Sequence, residues 1–467
     1  MCHYNPFSRP QPMICASYSI GVTYSPQCTG TLTTLTISLT AQSTCREINV
    51  LQRKSYFIVL PVVSMYAYFL SYLVLLHVMA SYSTERLRSP AIKGLHLAVK
   101  CILFMFVPQQ KPQLVVGGEG LCNFLKHHCP AVTETYYPTL WCWEGRAQTL
   151  LRPFITVKPL VHYNNELIKT ADGGQISLDW FNNDDNTLYP DASNRPTILL
   201  LPGLTGTSRE SYILHMIKHS EALGYRCVVF NNRGVSGEEL LTPRTYCAAN
   251  TEDLEAVIYH VHNMYPEAPL MAAGVSMGGM LLLNYLGKTG RQTPLKGAAV
   301  FSAGWEVFES AITLEKPINW MMFNYYLTTC LQASIVRHRH VLEKQFDIDH
   351  ILRAKSIREF DTRFTSVMFG YPTNDHYYKD ASPCHRVKSV EIPVLCLNAM
   401  DDVFSPGHAI PVETARQNPN VALVLTAYGG HIGFLEGIWP RKQTYMDKIF
   451  KQFVQAIFEH GNEINSM

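Results

Sequence analysis

The strongest constraint on this 467-residue chain lies at 269–287. There an apolar stretch, PLMAAGVS, turns through Gly274-Val275-Ser276-Met277-Gly278-Gly279 into a second apolar stretch, GMLLLNYLG. A G-x-S-x-G run with a strand before it and a helix after it predicts a turn so tight that only glycines fit beside the serine. Such a turn thrusts the serine Oγ out above the sheet. The pentapeptide alone recurs by chance, so its weight comes from the flanks. Ser276 is the candidate nucleophile, and because a serine hydroxyl is a poor nucleophile, it needs a base to take its proton.

The surrounding chain has the texture such a turn requires. Continuous apolar runs at 197–203 (TILLLPG), 226–234, 269–276, 297–303, 393–399 and 421–430 read as strands buried on both faces. Helical patterns lie between them, at 210–224 and at 251–265, the latter opening on Thr251 and acidic residues. Strands alternating with helices predict an α/β fold, a mostly parallel central sheet covered by helices on both faces. A hairpin is expected at 165–181, around Asp172-Gly173-Gly174. The alternation breaks once, over residues 304–392, which are rich in aromatics and Met. So long an insertion reads as a helical lid or binding element, with about half of its apolar stripe serving as helix core. Its basic patch RHRH (337–340) is better explained as solvated surface than as a phosphate site for Arg337 and Arg339.

The order Ser, then acid, then His places the partners of Ser276 after the last strands. Asp401 and Asp402 follow the strand at 393–399, and Asp402, four residues before Pro406, is preferred. His431 follows the final strand within YGGHIGF, where it could serve as base and then acid while the carboxylate holds its tautomer. Two backbone N–H groups are needed where charge develops on the carbonyl oxygen. Met277, directly after the nucleophile, and Leu204, in the loop PGLTG after the first buried strand, are the candidates for this oxyanion hole. Asn231-Asn232-Arg233-Gly234 reads as structural support for these loops.

Composition narrows the partners. A net charge of +2 and aromatics scattered away from basic runs argue against nucleic acid. Thirteen cysteines with no C-x-x-C pair suggest neither a zinc site nor a disulfide framework. A serine triad requires no metal or organic cofactor, so none is expected. Residues 56–82 contain no Asp, Glu, Lys or Arg and carry Tyr56, Tyr66, Tyr68, Tyr72 and Tyr82. That stretch is long enough to cross a hydrocarbon core of about 30 Å as a transmembrane anchor. Basic residues are nearly balanced on its two sides, so they do not orient it. Residues 1–55 are Ser/Thr-rich and carry no motif, and 83–150 is expected as a membrane-proximal segment ahead of a catalytic domain at 151–460. Within that segment, 92–107 is a second apolar stretch, broken by Lys93 and Lys100, that could equally lie in the interface as an amphipathic helix, form a second anchor, or pack on the catalytic domain as an entry helix.

Taken together, LLLPGLTGTSRESYI, FNNRGVSGE, AAGVSMGGMLLLNYLG, MDDVFSPGHAIP and YGGHIGFLEG resemble the membrane-anchored phospholipases and esterases of the α/β-hydrolase family, over about residues 109–460. The resemblance implies a single-pass membrane enzyme of type II topology that cleaves phosphatidylcholines. It further implies a preference for medium-chain or oxidatively shortened acyl groups, and a triad of Ser276, Asp402 and His431. Residues 1–55 fall outside it. A carboxylesterase or acyltransferase on neutral lipids, or an inactive membrane scaffold, are the competing readings, although no His-x-x-x-x-Asp pattern of the acyltransferase kind occurs.

Overall fold

The structure, a computed structural model, describes residues 111–465. The expected anchor at 56–82, the stretch at 92–107 and residues 1–55 lie outside the described residues. Among those described, no helix is long and apolar enough to cross a membrane.

Among the described residues, nine strands form one sheet. They are β1 (Gln113–Val116), β2 (Asn164–Lys169), β3 (Gln175–Phe181), β4 (Thr197–Leu201), β5 (Arg226–Asn231), β6 (Leu270–Val275), β7 (Leu295–Phe301), β8 (Val394–Ala399) and β9 (Val421–Thr426), in the spatial order β1-β9-β8-β7-β6-β4-β5-β3-β2. The six strands from β9 to β5 run parallel. β1 pairs antiparallel with β9 on one edge, and the β2–β3 hairpin closes the other. The central strands are buried throughout because both faces are covered, and strand alternation divides their side chains between two cores. On β4, Ile198 and Leu200 join one core while Leu199 and Leu201 join the other.

The first core packs against α1 (Glu119–His128), α3 (Ser211–Ala222) and α9 (Tyr445–His460), through Phe124, Ile213, Ile217 and Phe450. The second packs against α4 (Glu252–Met264) and α5 (Met277–Thr289), through Leu254, Ile258, Leu282 and Leu286. Thus α3, which follows β4, and α4, which follows β5, lie on opposite faces. β4 therefore stands at the point where the strand order reverses, with β5 on one side and β6 on the other. Ligands of open α/β sheets bind beyond the carboxyl ends of strands at such a point.

Three details depart from the sequence reading. The boundary at 150/151 falls inside α2 (Gly145–Ile155), and β1 and α1 are already part of the sheet and its core, so the domain begins well before 151. Thr251 precedes α4 but does not cap it with its side chain, and Asn250 Oδ1 accepts the Glu252 N–H instead, at 3.2 Å. In the basic patch, His338 is buried against the Gly234 carbonyl at 2.8 Å, and Arg339 pairs with Asp349. The insertion itself is helical, with α6 (Val307–Leu314), α7 (Tyr325–Arg337) and α8 (Asn374–Ala381) as its longer members. It has a small core of its own around Leu331, Ile335, Ile351, Phe360 and Phe364.

Candidate active site

Ser276 stands between β6 and α5 with φ 54° and ψ −120°. That backbone region costs an L-residue about 1–3 kcal/mol, so the surroundings must impose it. They do so by close approach. A Cβ on Gly274 would lie 2.5 Å from the Gly278 carbonyl oxygen, and one on Gly278 would lie 2.3 Å from that of Leu201 at the end of β4. The first turn of α5 is therefore pressed against two strand ends, and the Ser276 N–H is held by the Phe301 carbonyl of β7 at 2.8 Å.

The other two residues arrive from the next strand ends. Asp402, with no exposed side-chain surface, accepts the backbone N–H of Phe404 at 2.7 Å on Oδ1 and meets His431 Nδ1 at 2.8 Å on Oδ2. His431 Nε2 in turn lies 2.8 Å from Ser276 Oγ. With the carboxylate accepting from Nδ1–H, Nε2 is left to accept the serine proton. Asp401 points elsewhere: its Oδ1 accepts the Gly430 N–H at 2.8 Å, and burial pushes its pKa up to about 7. The His431 loop is anchored from outside as well. Thr149 Oγ1 accepts the His431 N–H at 2.8 Å, Ser302 Oγ accepts that of Ile432 at 3.0 Å, and the Phe404 ring lies 4.3 Å from the imidazole. Gly430, at φ 58°, passes so near α2 that a Cβ would meet the Gly145 carbonyl oxygen.

The loop after β4 comes to the serine from the other side. A Cβ on Gly203 would lie 3.1 Å from that of Ser276, and the Gly203 N–H donates to Tyr212 Oη at 3.0 Å. Leu204 and Met277 both line the cavity above Ser276. Among the described residues, neither backbone N–H is engaged in a hydrogen bond. The cavity has a volume of about 580 Å³ and reaches from Ser276 and His431 into the insertion, along apolar walls that include Leu314, Phe323, Leu331 and Phe364. A serine–imidazole–carboxylate chain opening on such a space can transfer a proton from Oγ, bring a nucleophile to a carbonyl carbon and hold an apolar chain.

Residues 196–438 match the family model of the α/β-hydrolase fold. Over 356 residues the chain is 75% identical to human phospholipase ABHD3, covering 76% of this chain and 87% of that protein. To the bovine phospholipase ABHD3 it is 72% identical, over 80% of this chain and 91% of that one. To the Caenorhabditis elegans protein abhd-3.2 it is 32% identical, over 79% and 98%. The chain belongs to the α/β-hydrolase family. With its phospholipase-named relatives, that membership makes it a hydrolase of lipid esters, and the family's mostly parallel sheet is the one found here.

For this α/β-hydrolase, reading the sequence did not find Thr149, Ser302, Phe404 and Tyr212, which position the site. Thr149, Ser302 and Tyr212 reach the site only through tertiary packing, and Phe404, two residues after Asp402, carries no spacing that marks its ring for the imidazole. Arg233 does support the loops: it is buried and ion-paired with Asp172 and Asp253, and its guanidinium holds the Asp172 carboxyl well below the usual carboxylate range. Among the described residues, two groups of side chains could hold a metal ion, His128 with His460 and Glu463, and Glu306 with Cys384 and His385. Neither shares a residue with the Ser276 site.

Proposed function

We propose that this α/β-hydrolase is a membrane-tethered phospholipase that cleaves acyl esters of phosphatidylcholine through Ser276, His431 and Asp402. The observation that carries the reading is the unbroken contact from Asp402 through His431 to Ser276 Oγ, at 2.8 Å for each step, beneath an apolar cavity of about 580 Å³. The phospholipase names of the mammalian relatives and the apolar stretch at 56–82 supply the substrate class and the tether.

Ser276 Oγ attacks the ester carbonyl carbon as His431 Nε2 takes its proton, and the Met277 and Leu204 N–H groups receive the charge on the carbonyl oxygen. The bond to the glycerol oxygen breaks, His431 returns the proton to that oxygen, and a lysophospholipid leaves. Water, deprotonated by His431, then attacks the acyl-enzyme and frees the fatty acid. Asp402 keeps Nδ1 protonated and stabilises the imidazolium. The insertion acts as a lid that admits the acyl chain and excludes water, and an acyl pocket of this size suits medium-length or truncated chains. We also propose a single-pass type II arrangement at the membrane.

Lysophosphatidylcholine release from medium-chain phosphatidylcholine, by wild type and Ser276→Ala, tests the reading. Release by wild type that vanishes in the variant is expected. Wild type that releases none, while cleaving a neutral p-nitrophenyl ester, keeps the hydrolase and removes the phospholipid.

A further inference from the structure

The cavity is apolar except at a few points, and one of them is an ion pair. Arg358 Nε donates to Glu315 Oε1 at 2.8 Å, and both residues line the cavity with about a third of each side chain exposed. They come from separate parts of the insertion, 43 residues apart, and meet only because it folds back over the site. The other arginine on the cavity wall, Arg152, is buried and donates to Ser211 Oγ.

The pair is poorly explained as a stabilising device. Exposed ion pairs of this kind contribute little. Glu315 also sits at the C-cap of α6, where the helix end already carries partial negative charge and a carboxylate is disfavoured. A negative side chain at a negative helix end makes a favourable site for a cation. Arg358 uses only Nε on Glu315; among the described residues no protein group accepts a hydrogen bond from its two Nη groups, and the guanidinium carbon lies 6.0 Å from the centre of the Tyr378 ring. A guanidinium fork left open in this way matches two oxygens of a phosphodiester. Its position is well defined, since Ser356 Oγ accepts the Glu359 N–H and Asn324 Oδ1 accepts that of Ile357 at 2.8 Å.

We infer that Arg358 and Glu315 form the headgroup site of this enzyme, Arg358 taking the phosphate and Glu315 the ammonium of a zwitterionic phospholipid. The two charges would then select the headgroup while the apolar walls take the acyl chain. The inference rests on the phospholipid reading above and names the residues that give it specificity.

The test compares kcat/KM of the full-length protein on medium-chain phosphatidylcholine with that on a neutral p-nitrophenyl ester of the same acyl length. Arg358→Gln should lower the first by about tenfold, mainly through KM, and leave the second within about twofold. An unchanged ratio of the two substrates overturns the headgroup site while leaving the phospholipase standing. A wild type inactive on phosphatidylcholine but active on the neutral ester overturns both. Should Arg358→Gln lose the neutral-ester activity through misfolding, Glu315→Gln decides. Loss on phosphatidylcholine relative to phosphatidylglycerol, whose headgroup carries no cation, supports the site, and equal change on the two lipids overturns it.

Discussion

Asp401 and Asp402 are adjacent, the first half-buried and the second buried, and their surroundings give them different work. Asp402 faces His431 and accepts the backbone N–H groups of Phe404 and Ser405, whereas Asp401 spends one oxygen on Gly430 and leaves the other without a partner. Asp402→Asn should therefore lower kcat on a neutral ester by about 10³-fold or more, with little change in KM, because the imidazole loses its tautomer and its counter-charge. Asp401→Asn keeps the shape of the loop and should stay within about tenfold. Steady-state kinetics on the two variants decides, and equal losses would remove the distinction. A third acid behaves differently again. Asp361, buried in the insertion on the cavity wall, accepts from Thr365 Oγ1 at 2.7 Å and Tyr378 Oη at 3.2 Å, and burial pushes its pKa up to about 7. Between the unfolded value near 4 and about 7 the folded chain binds more protons than the unfolded one, so this group's contribution falls as pH rises through that window. Asn at 361 cannot ionise. The melting temperature of Asp361→Asn, measured against wild type at pH 5 and at pH 8, should compare more favourably at pH 8.

At the scale of elements, the nucleophile turn depends on α5 approaching β4 more closely than any side chain allows. Gly278→Ala would drive a Cβ into the carbonyl oxygens of Leu201 and Pro202, both backbone atoms of a central strand end, which cannot yield as a side-chain tip could. A loss of about 3 kcal/mol in urea unfolding is expected. Ser276 labelling by a fluorophosphonate should fall with it, and normal stability with full labelling would contradict this account of the turn. The same elements show where a sequence speaks. The six parallel strands were legible because burial on both faces demands unbroken apolar runs, and Ser276, Asp402 and His431 were legible because each sits where such a run ends. β1 was not: QLVV is too short to show a period, and it becomes a strand only by pairing with β9, some 300 residues on. Thr149 and Ser302 were hidden for the same reason. Each holds a backbone N–H of the His431 loop from a distant element, and nothing near either in the chain marks it for that role.

The molecule as a whole sets a candidate site lying within residues 111–465 beside a membrane expectation at residues 56–82, and the two can be separated. Among the described residues, the sheet begins at Gln113 and the cores on its two faces are built from residues 114 onward. All of the groups placed around Ser276 lie within the same span. A chain starting at residue 108 should accordingly fold, label at Ser276 and turn over a soluble p-nitrophenyl ester within about twofold of the full chain. If residues 56–82 tether the enzyme, the same truncation should lower its hydrolysis of phosphatidylcholine in vesicles by at least about tenfold, because a tether raises the effective concentration of active site at the bilayer without adding any contact to the substrate. On a short-chain phosphatidylcholine kept below its critical micelle concentration, where substrate reaches the enzyme one molecule at a time, that gap should close. Equal vesicle activity with and without residues 1–107 would mean that the catalytic domain finds the bilayer by itself, through apolar side chains exposed around the cavity such as Phe154 and Tyr326. Loss of soluble-ester turnover would instead make the N-terminal segment a part of the fold.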